Sequence, residues 1–321
     1  MSHGLEPVAA PAALTACSRR TLLRGAVAGA LPAGWLGAAC AQDRAAALLM
    51  RPIASSGEAL PLVGLGSWIT FNVGDDRPAR DDCAAVMRAF FDAGGRLIDS
   101  SPMYGSSQGV IGEGLARIGR SAAVFAADKV WVSAGARGPA QVEQSRRLWG
   151  VPRFDLLQVH NLLAWEEHLP ALQAMKAAGR LRYVGITTSE GRRHREIEAI
   201  LRSQTIDFVQ ITYNPVDREV EQRILPLAQE RRVAVIVNRP FQEGALLKAL
   251  ARHPLPPWAA EIGCDAWAPL VLKFIVSHPA VACAIPATSS VAHVRQNMAA
   301  ARGALPDAAL RRRIAEHVAA L

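Results

Sequence analysis

The chain has 321 residues, half of them apolar and a fifth charged, which excludes wholesale disorder and allows one large domain or two ordinary ones. Lysine and arginine outnumber aspartate and glutamate 36 to 28, a formal charge of +8. That balance suits an anionic ligand, but no aromatic–basic interleaving and no zinc spacing points to nucleic acid or a metal, so most of the excess is read as a solvated basic surface.

Residues 1–41 read as an address. Ser18-Arg19-Arg20-Thr21-Leu22-Leu23 precedes a weakly apolar, alanine- and glycine-rich stretch from Gly25 to Ala41. The stretch is too short for a bilayer span and contains Pro32, so no stable membrane span is expected. Ala39-Cys40-Ala41 offers a small-x-small cleavage pattern and a mature start near Gln42. The segment looks like a twin-arginine export signal. That resemblance implies the twin-arginine machinery as a partner and delivery of folded protein to the periplasm; without a working signal the chain stays in the cytoplasm. A lipid-modified Cys40 and a plain N-terminal tail are the other readings. Removing Arg19, Arg20, Arg24 and Glu6 with the segment leaves a charge of +6. The remaining Cys83, Cys264 and Cys283 are an odd count, which argues against a disulfide framework and for small buried residues.

Residues 42–321 carry no composition break and are expected to form one domain. An apolar run from Leu48 to Ile53, the turn Ser55-Ser56-Gly57-Glu58 and a second run from Leu60 to Leu65 predict a hairpin leading into a first buried strand at Val63–Leu65. Further strands are expected at Leu97–Ser100, Ala123–Val130, Leu156–His160, Tyr183–Thr187, Phe208–Tyr213, Ala234–Asn238 and Ala282–Ile285. Helical periodicity falls between them, at Asp81–Ala93, Gly109–Ile118, Ala140–Leu148, Trp165–Ala178, Arg193–Ser203, Glu219–Glu230 and Trp267–Ser277. Two more helices follow, at Val291–Arg302 and Ala308–Ala319. Eight strand–helix units whose strands are apolar on both faces predict a (β/α)8 barrel with an N-terminal β-hairpin. A doubly wound sheet is disfavoured, because no Gly-x-Gly-x-x-Gly turn follows the first strand.

Barrel enzymes place their chemistry at the carboxyl ends of the strands. There the sequence offers Asp99 and Tyr104, Lys129, His160-Asn161, Thr187-Thr188, Gln210 with Tyr213, Asn238-Arg239, and Thr288-Ser289-Ser290. Only four basic residues are lysines (Lys129, Lys176, Lys248 and Lys273), so a retained ammonium at a strand end invites a chemical explanation. Each of these residues has an ordinary structural reading when taken alone.

Six stretches resemble the aldo-keto reductase family, in its order and at its spacings. They are Gly64–Trp68, Leu97–Gly105, Leu156–Asn161, Gly179–Ile186, Val209–Asn214 and Ile285–Ser289. The resemblance spans about residues 60 to 302. It implies a nicotinamide-dependent oxidoreductase that reduces aldehyde or ketone carbonyls, or oxidises the corresponding alcohols. By the same resemblance Asp99, Tyr104, Lys129 and His160 correspond to the catalytic tetrad. The residue types suit the chemistry: a phenol can donate the proton, and an ammonium beside it is expected to lower its pKa from about 10. Asp99 would hold Lys129, and a neutral His160 would orient the carbonyl oxygen.

The resemblance also implies a cofactor site. Tyr213 matches a tyrosine that stacks on the nicotinamide, and Gln210 matches a carboxamide contact. Thr187-Thr188 stands where a serine–asparagine pair is common. Gly244 and Leu246 fall in the loop covering the pyrophosphate, Thr288 and Ser289 match the adenosine-phosphate site, and Asn297 matches an adenine contact. Ala287 stands where many members have a lysine or glycine and His293 where many have an arginine, which leaves Arg295 as the candidate for a 2′-phosphate. NADP is the expected cofactor, with NAD as the alternative. Trp68, Phe71, Met103 and Leu162 are candidates for an apolar substrate mouth, and Arg192–Arg195 reads as a solvated face. A binding-only barrel acting as a redox sensor or partner subunit is the competing class. An isomerase barrel would need paired strand-end carboxylates, which the sequence does not offer.

Overall fold

The computed structural model describes residues 46–321, so the export-signal reading of residues 1–41 lies outside the described residues. The hairpin expected at the start forms from β1 (Met50–Pro52) and β2 (Ala59–Pro61), paired antiparallel. Eight parallel strands follow: β3 (Leu65–Gly66), β4 (Leu97–Asp99), β5 (Phe125–Val130), β6 (Phe154–His160), β7 (Leu181–Thr187), β8 (Phe208–Thr212), β9 (Ala234–Asn238) and β10 (Val281–Ala284). They pair in chain order. Parallel bridges from Val63 to Ala284 and from Gly66 to Ala287 join the first strand to the last, closing a (β/α)8 barrel. Gly66 permits this seam, since a Cβ there would sit 2.7 Å from the Ile285 carbonyl.

The helices on the outside are α1 (Arg77–Asp92), α2 (Ser107–Ile118), α3 (Gly138–Trp149), α4 (Trp165–Ala177), α5 (His194–Ser203), α6 (Ile224–Glu230), α7 (Ala245–Leu250), α8 (Trp267–Val276), α9 (Val291–Ala299) and α10 (Ala308–Ala319). The helix expected over Glu219–Glu230 is split, with a 3-10 turn at Glu219–Glu221 and α6 starting only at Ile224. Pro226 explains the start: it lacks an N–H and suits a first turn, not a helix interior. Helix α7 and the 3-10 segment Pro257–Ile262 are additions the periodicity did not predict.

Two layers of core result. Outward strand residues pack against the helices in the larger cluster, and inward residues such as Phe125, Leu156, Tyr183 and Phe208 fill the barrel axis. The hairpin stoppers that axis at the strands' amino end. Ile53 and Leu60 join the inner cluster, and Glu58 accepts hydrogen bonds from Tyr183 and Arg182. The opposite end stays open for a site. Among the described residues no helix is long and apolar enough to cross a membrane, and no His, Cys, Asp or Glu cluster could hold a metal ion. Cys83, Cys264 and Cys283 are buried free thiols, and burial pushes Cys83 and Cys264 up to about 11.

Candidate active site

A cavity of about 500 Å³ opens at the carboxyl ends of the strands. It runs from Tyr104 and His160 past Thr187, Gln210 and Asn238 to Gly244, Thr288 and Asn297. The strand-end loops that wall it are held in unusual backbone. Ile69, Asn161, Glu190, Arg239 and Glu243 line the cavity and adopt positive φ between 48° and 64° without being glycine.

Asp99, Tyr104, Lys129 and His160 converge at one end of this cavity. Alternation along β5 turns Phe125, Ala127 and Lys129 into the barrel. The Lys129 ammonium is fully buried, ion-paired with Asp99 and hydrogen-bonded to the Ser100 carbonyl at 2.8 Å. It lies 5.1 Å from the centre of the Tyr104 ring. Asp99 is fully satisfied: its other oxygen accepts from Gln210 Nε2 at 2.9 Å and Gln158 Nε2 at 3.2 Å. Burial pulls the Lys129 ammonium down, but Asp99 and then Tyr104 outweigh it and the net direction is up, so the lysine stays charged.

His160 meets the Tyr104 ring edge-on, 5.7 Å between ring centres, and its Nδ1 shares a 2.8 Å hydrogen bond with Ser101 Oγ. Burial, with Lys129 adding repulsion, holds the imidazole down at about 2, so it is neutral at any working pH. Tyr104 corrects one expectation. Burial is the largest influence and lifts the phenol above its ordinary value. The Lys129 charge and hydrogen bond pull it down, but only in part. At neutral pH the tyrosine is therefore a loaded proton donor, not a readily ionised one.

The remaining expected residues divide. Thr187, Gln210, Gly244, Thr288 and Asn297 line the cavity. Gln210 spends its amide on Asp99 and Gln158, and its carbonyl accepts from Thr187 at 3.3 Å and Asn238 at 3.4 Å, so it braces the tetrad as well as the cavity wall. Thr188 is buried beside the cavity and contributes its carbonyl to Asn238 at 2.8 Å. Leu246 is buried behind Gly244, while Ser289 and Arg295 are exposed outside the lining.

Tyr213 does not face the cavity. Its side chain is wholly buried, its hydroxyl donates to Glu221 and accepts from Arg311 at 2.5 Å, and its ring packs on Phe274. Phe208 and Gln210 face into the barrel and Val209 and Ile211 face the helices, and the same alternation carries Tyr213, one residue past the end of β8, out into the helix layer. Phe71 and Leu162 likewise belong to the core, whereas Trp68 and Met103 line the mouth. Arg192, expected on a solvated face, lines the cavity rim next to Glu190.

Sequence reasoning underused Asn238 and Arg239. Asn238 accepts from Thr212 at 2.7 Å and ties the ends of β7, β8 and β9 together. Arg239 pairs with Glu190 at 3.1 Å and with Glu243, and lies 6.0 Å from the Trp68 ring. Their place at a strand end was the available signal.

The far end of the cavity suits phosphate groups. Helix α9 starts there, with Ser290 as its cap accepting from the His293 amide, and Thr288 holding the Ser290 amide at 3.1 Å. Gly244 has φ of 92° and open space where a Cβ would project, so backbone can approach a ligand closely. These features, with neutral amide and hydroxyl groups at the centre, fit an extended dinucleotide.

Comparison with known proteins agrees with this architecture. Residues 62–317 match the model of the aldo/keto reductase family. Methylglyoxal reductase YeaE of Escherichia coli (strain K12) is 30% identical over 258 residues, covering 78% of this chain and 89% of that protein. An aldo-keto reductase from Klebsiella pneumoniae, solved in complex with NADPH, superposes with a TM-score of 0.72 at 24% identity, covering 85% of this chain and 96% of that one. Another structure from the same organism, in complex with NADP and acetate, gives 0.69 at 25% identity, with 82% and 93% covered.

Proposed function

The chain belongs to the aldo/keto reductase family, and on that premise we propose that it reduces the carbonyl of a small aldehyde or ketone to an alcohol with NADPH. The observation that carries this reading is Lys129, buried between Asp99 and Tyr104 with His160 against the same ring, at the end of a cavity able to take a dinucleotide. NADPH, when bound, supplies the hydride. The relatives described above, a methylglyoxal reductase and two NADP-bound reductases, support both substrate class and cofactor.

Tyr104 donates the proton to the carbonyl oxygen. Lys129 stabilises the phenolate left behind, which is worth most where water is excluded. Asp99 keeps the ammonium in place and charged. Neutral His160, its ring fixed by Ser101, orients the carbonyl oxygen through its other nitrogen. Thr187, Gln210 and Asn238 would hold the carboxamide side of the cofactor, with Thr188 behind them. Gly244 and Leu246 would shape the turn over its pyrophosphate, while Thr288, Ser289 and the α9 N-terminus receive the adenosine phosphate and Asn297 the adenine. Arg295 would act on a 2′-phosphate from the exposed side of α9. A binding-only barrel has no use for a buried acid–ammonium pair, so turnover is the better reading.

Residues 1–41 act as a twin-arginine signal in this proposal, and residues 42–321 as the periplasmic enzyme. The Arg19-Arg20 pair and the small-residue stretch behind it support that assignment. Replacing both arginines with lysine should leave the protein in the cytoplasmic fraction; normal export of that variant would contradict it. For the activity, the purified full chain is mixed with NADPH and a panel of aldehydes and ketones, methylglyoxal included. Loss of NADPH absorbance matched by alcohol formation is expected. No turnover across the panel would reject the assignment.

A further inference from the structure

Asp128 is a buried carboxylate that the proton-donating machinery described above does not use. It neighbours Lys129 on β5 but faces the other way, out of the barrel and into the layer between the strand and helices α2 and α3. Its side chain is fully buried, and three donors meet it there. Oδ2 accepts from Gln108 Nε2 of α2 and from Trp149 Nε1 of α3, each at 2.7 Å. Oδ1 accepts the backbone N–H of Lys129, also at 2.7 Å.

That last bond sits where pairing with β4 stops. The pairing of β4 with β5 ends at Asp99 and Ala127, because β4 turns away into the Ser100–Tyr104 loop. Lys129 lies beyond that final pair. Asp128 holds its amide instead, and the two helix donors hold Asp128. On its β4 side the strand end that presents the ammonium is thereby fastened to two helices, while on the other side Lys129 stays in register with Gln158 of β6.

The charge matters as well as the geometry. Around this carboxylate the charged and titratable groups are Lys129 on its own strand, Asp99 at the end of β4, and Tyr104 beyond them. Helices α2 and α3 present only neutral donors to it, Gln108 and Trp149, with Ser145 accepting from Gln108 at 2.9 Å. With Asp99 and Asp128 both ionised, one ammonium faces two carboxylates.

We propose that Asp128 is a positioning residue: it fixes Lys129 through the strand backbone and, by its charge, sets how tightly Tyr104 keeps its proton. This rests on the reading of Tyr104 as the acid. Burial pushes the Asp128 carboxyl up to about 7, against the Lys129 amide and ammonium, so its charge changes in the neutral range. An ionised Asp128 disfavours phenolate and keeps Tyr104 protonated to higher pH; a neutral one relaxes that hold.

The test is Asp128→Asn, with two readouts. In the first, the pH profile of carbonyl reduction should lose an inflection near neutral pH. Its alkaline limb should move to lower pH by about one pH unit, with NADPH affinity by direct fluorescence titration unchanged. In the second, which needs no turnover, the chain is labelled with 13Cζ-tyrosine. It has only three tyrosines, so Tyr104 is assigned by its loss in Tyr104→Phe. Its ionisation should begin at lower pH in Asp128→Asn than in wild type. A uniform fall in rate at every pH, with an unmoved Tyr104 signal, would overturn the proposal and leave only a packing role. If the asparagine variant does not fold, Trp149→Phe decides. It removes one donor but keeps the carboxylate, so the neutral inflection should move to higher pH; an unmoved inflection overturns the proposal. Should wild type reduce nothing, the functional reading fails separately, and the tyrosine signal still tests the influence of Asp128.

Discussion

At the scale of single residues, Asp99 is the group on which the others lean. It receives the Lys129 ammonium and the amides of Gln158 and Gln210, and its backbone carbonyl accepts from Ser67 at 2.8 Å. Lys129→Met would strand that carboxylate without its counter-charge. Breaking a buried pair in this way costs about 3–5 kcal/mol, so the urea unfolding midpoint should fall substantially along with the rate. An unchanged midpoint would mean that Asp99 has another cation or takes up a proton without cost. Ser101→Ala removes one buried hydrogen bond to His160 Nδ1, worth about 1 kcal/mol. Its kcat should drop several-fold while the NADPH dissociation constant stays put, as stopped-flow and equilibrium titration would separate. Most of this constellation was legible in the sequence, because Asp99, Lys129 and His160 sit within or at the ends of apolar strands whose alternation fixes their direction. The net acidity of Tyr104 was not legible. It depends on how deeply a loop buries the phenol, which no residue pattern records.

Secondary-structure elements set where the cofactor can lie. The turn from β9 into α7 places Gly244 in left-handed backbone with φ of 92°, and nothing stands within 4 Å of a Cβ there. Gly244→Val therefore clashes with no protein atom, and its cost is conformational, about 1–2 kcal/mol. NADPH should bind roughly ten-fold more weakly, which corresponds to about 1.4 kcal/mol; equal affinity in a fluorescence titration would take this turn out of the cofactor site. The eight strands were readable from their apolar runs, and most helices from their period. Elements whose ends depend on tertiary context were not. Helix α6 waits for Pro226. Tyr213 matches by motif alone, although it falls out of phase with inward Phe208 and Gln210 and so packs beneath α8 and α10. A motif gives the position of such a residue along the chain, not the direction of its side chain.

For the whole molecule, pH acts on stability as well as on catalysis. Burial, with Arg311 adding repulsion, lowers His278 to about 4, whereas the unfolded chain carries its histidines near 6.5. Below about 6.5 the unfolded state takes a proton there that the folded state refuses until about 4. The contribution of His278 is thus fully present above 6.5 and lost as pH falls towards 4. His278→Gln should flatten the dependence of the urea midpoint on pH across that window; an unchanged slope would show that the imidazole is protonated in the fold. The central claim is more local: that a phenol held beside a buried ammonium hands over its proton. Tyr104→Phe keeps the ring, and its edge contact with His160, while removing only the hydroxyl. Measured with NADPH and the best carbonyl substrate found, this variant should bind the nucleotide as wild type does and lose about 10²–10⁴-fold in kcat. Turnover within a few-fold of wild type, with nucleotide binding intact, would contradict the assignment.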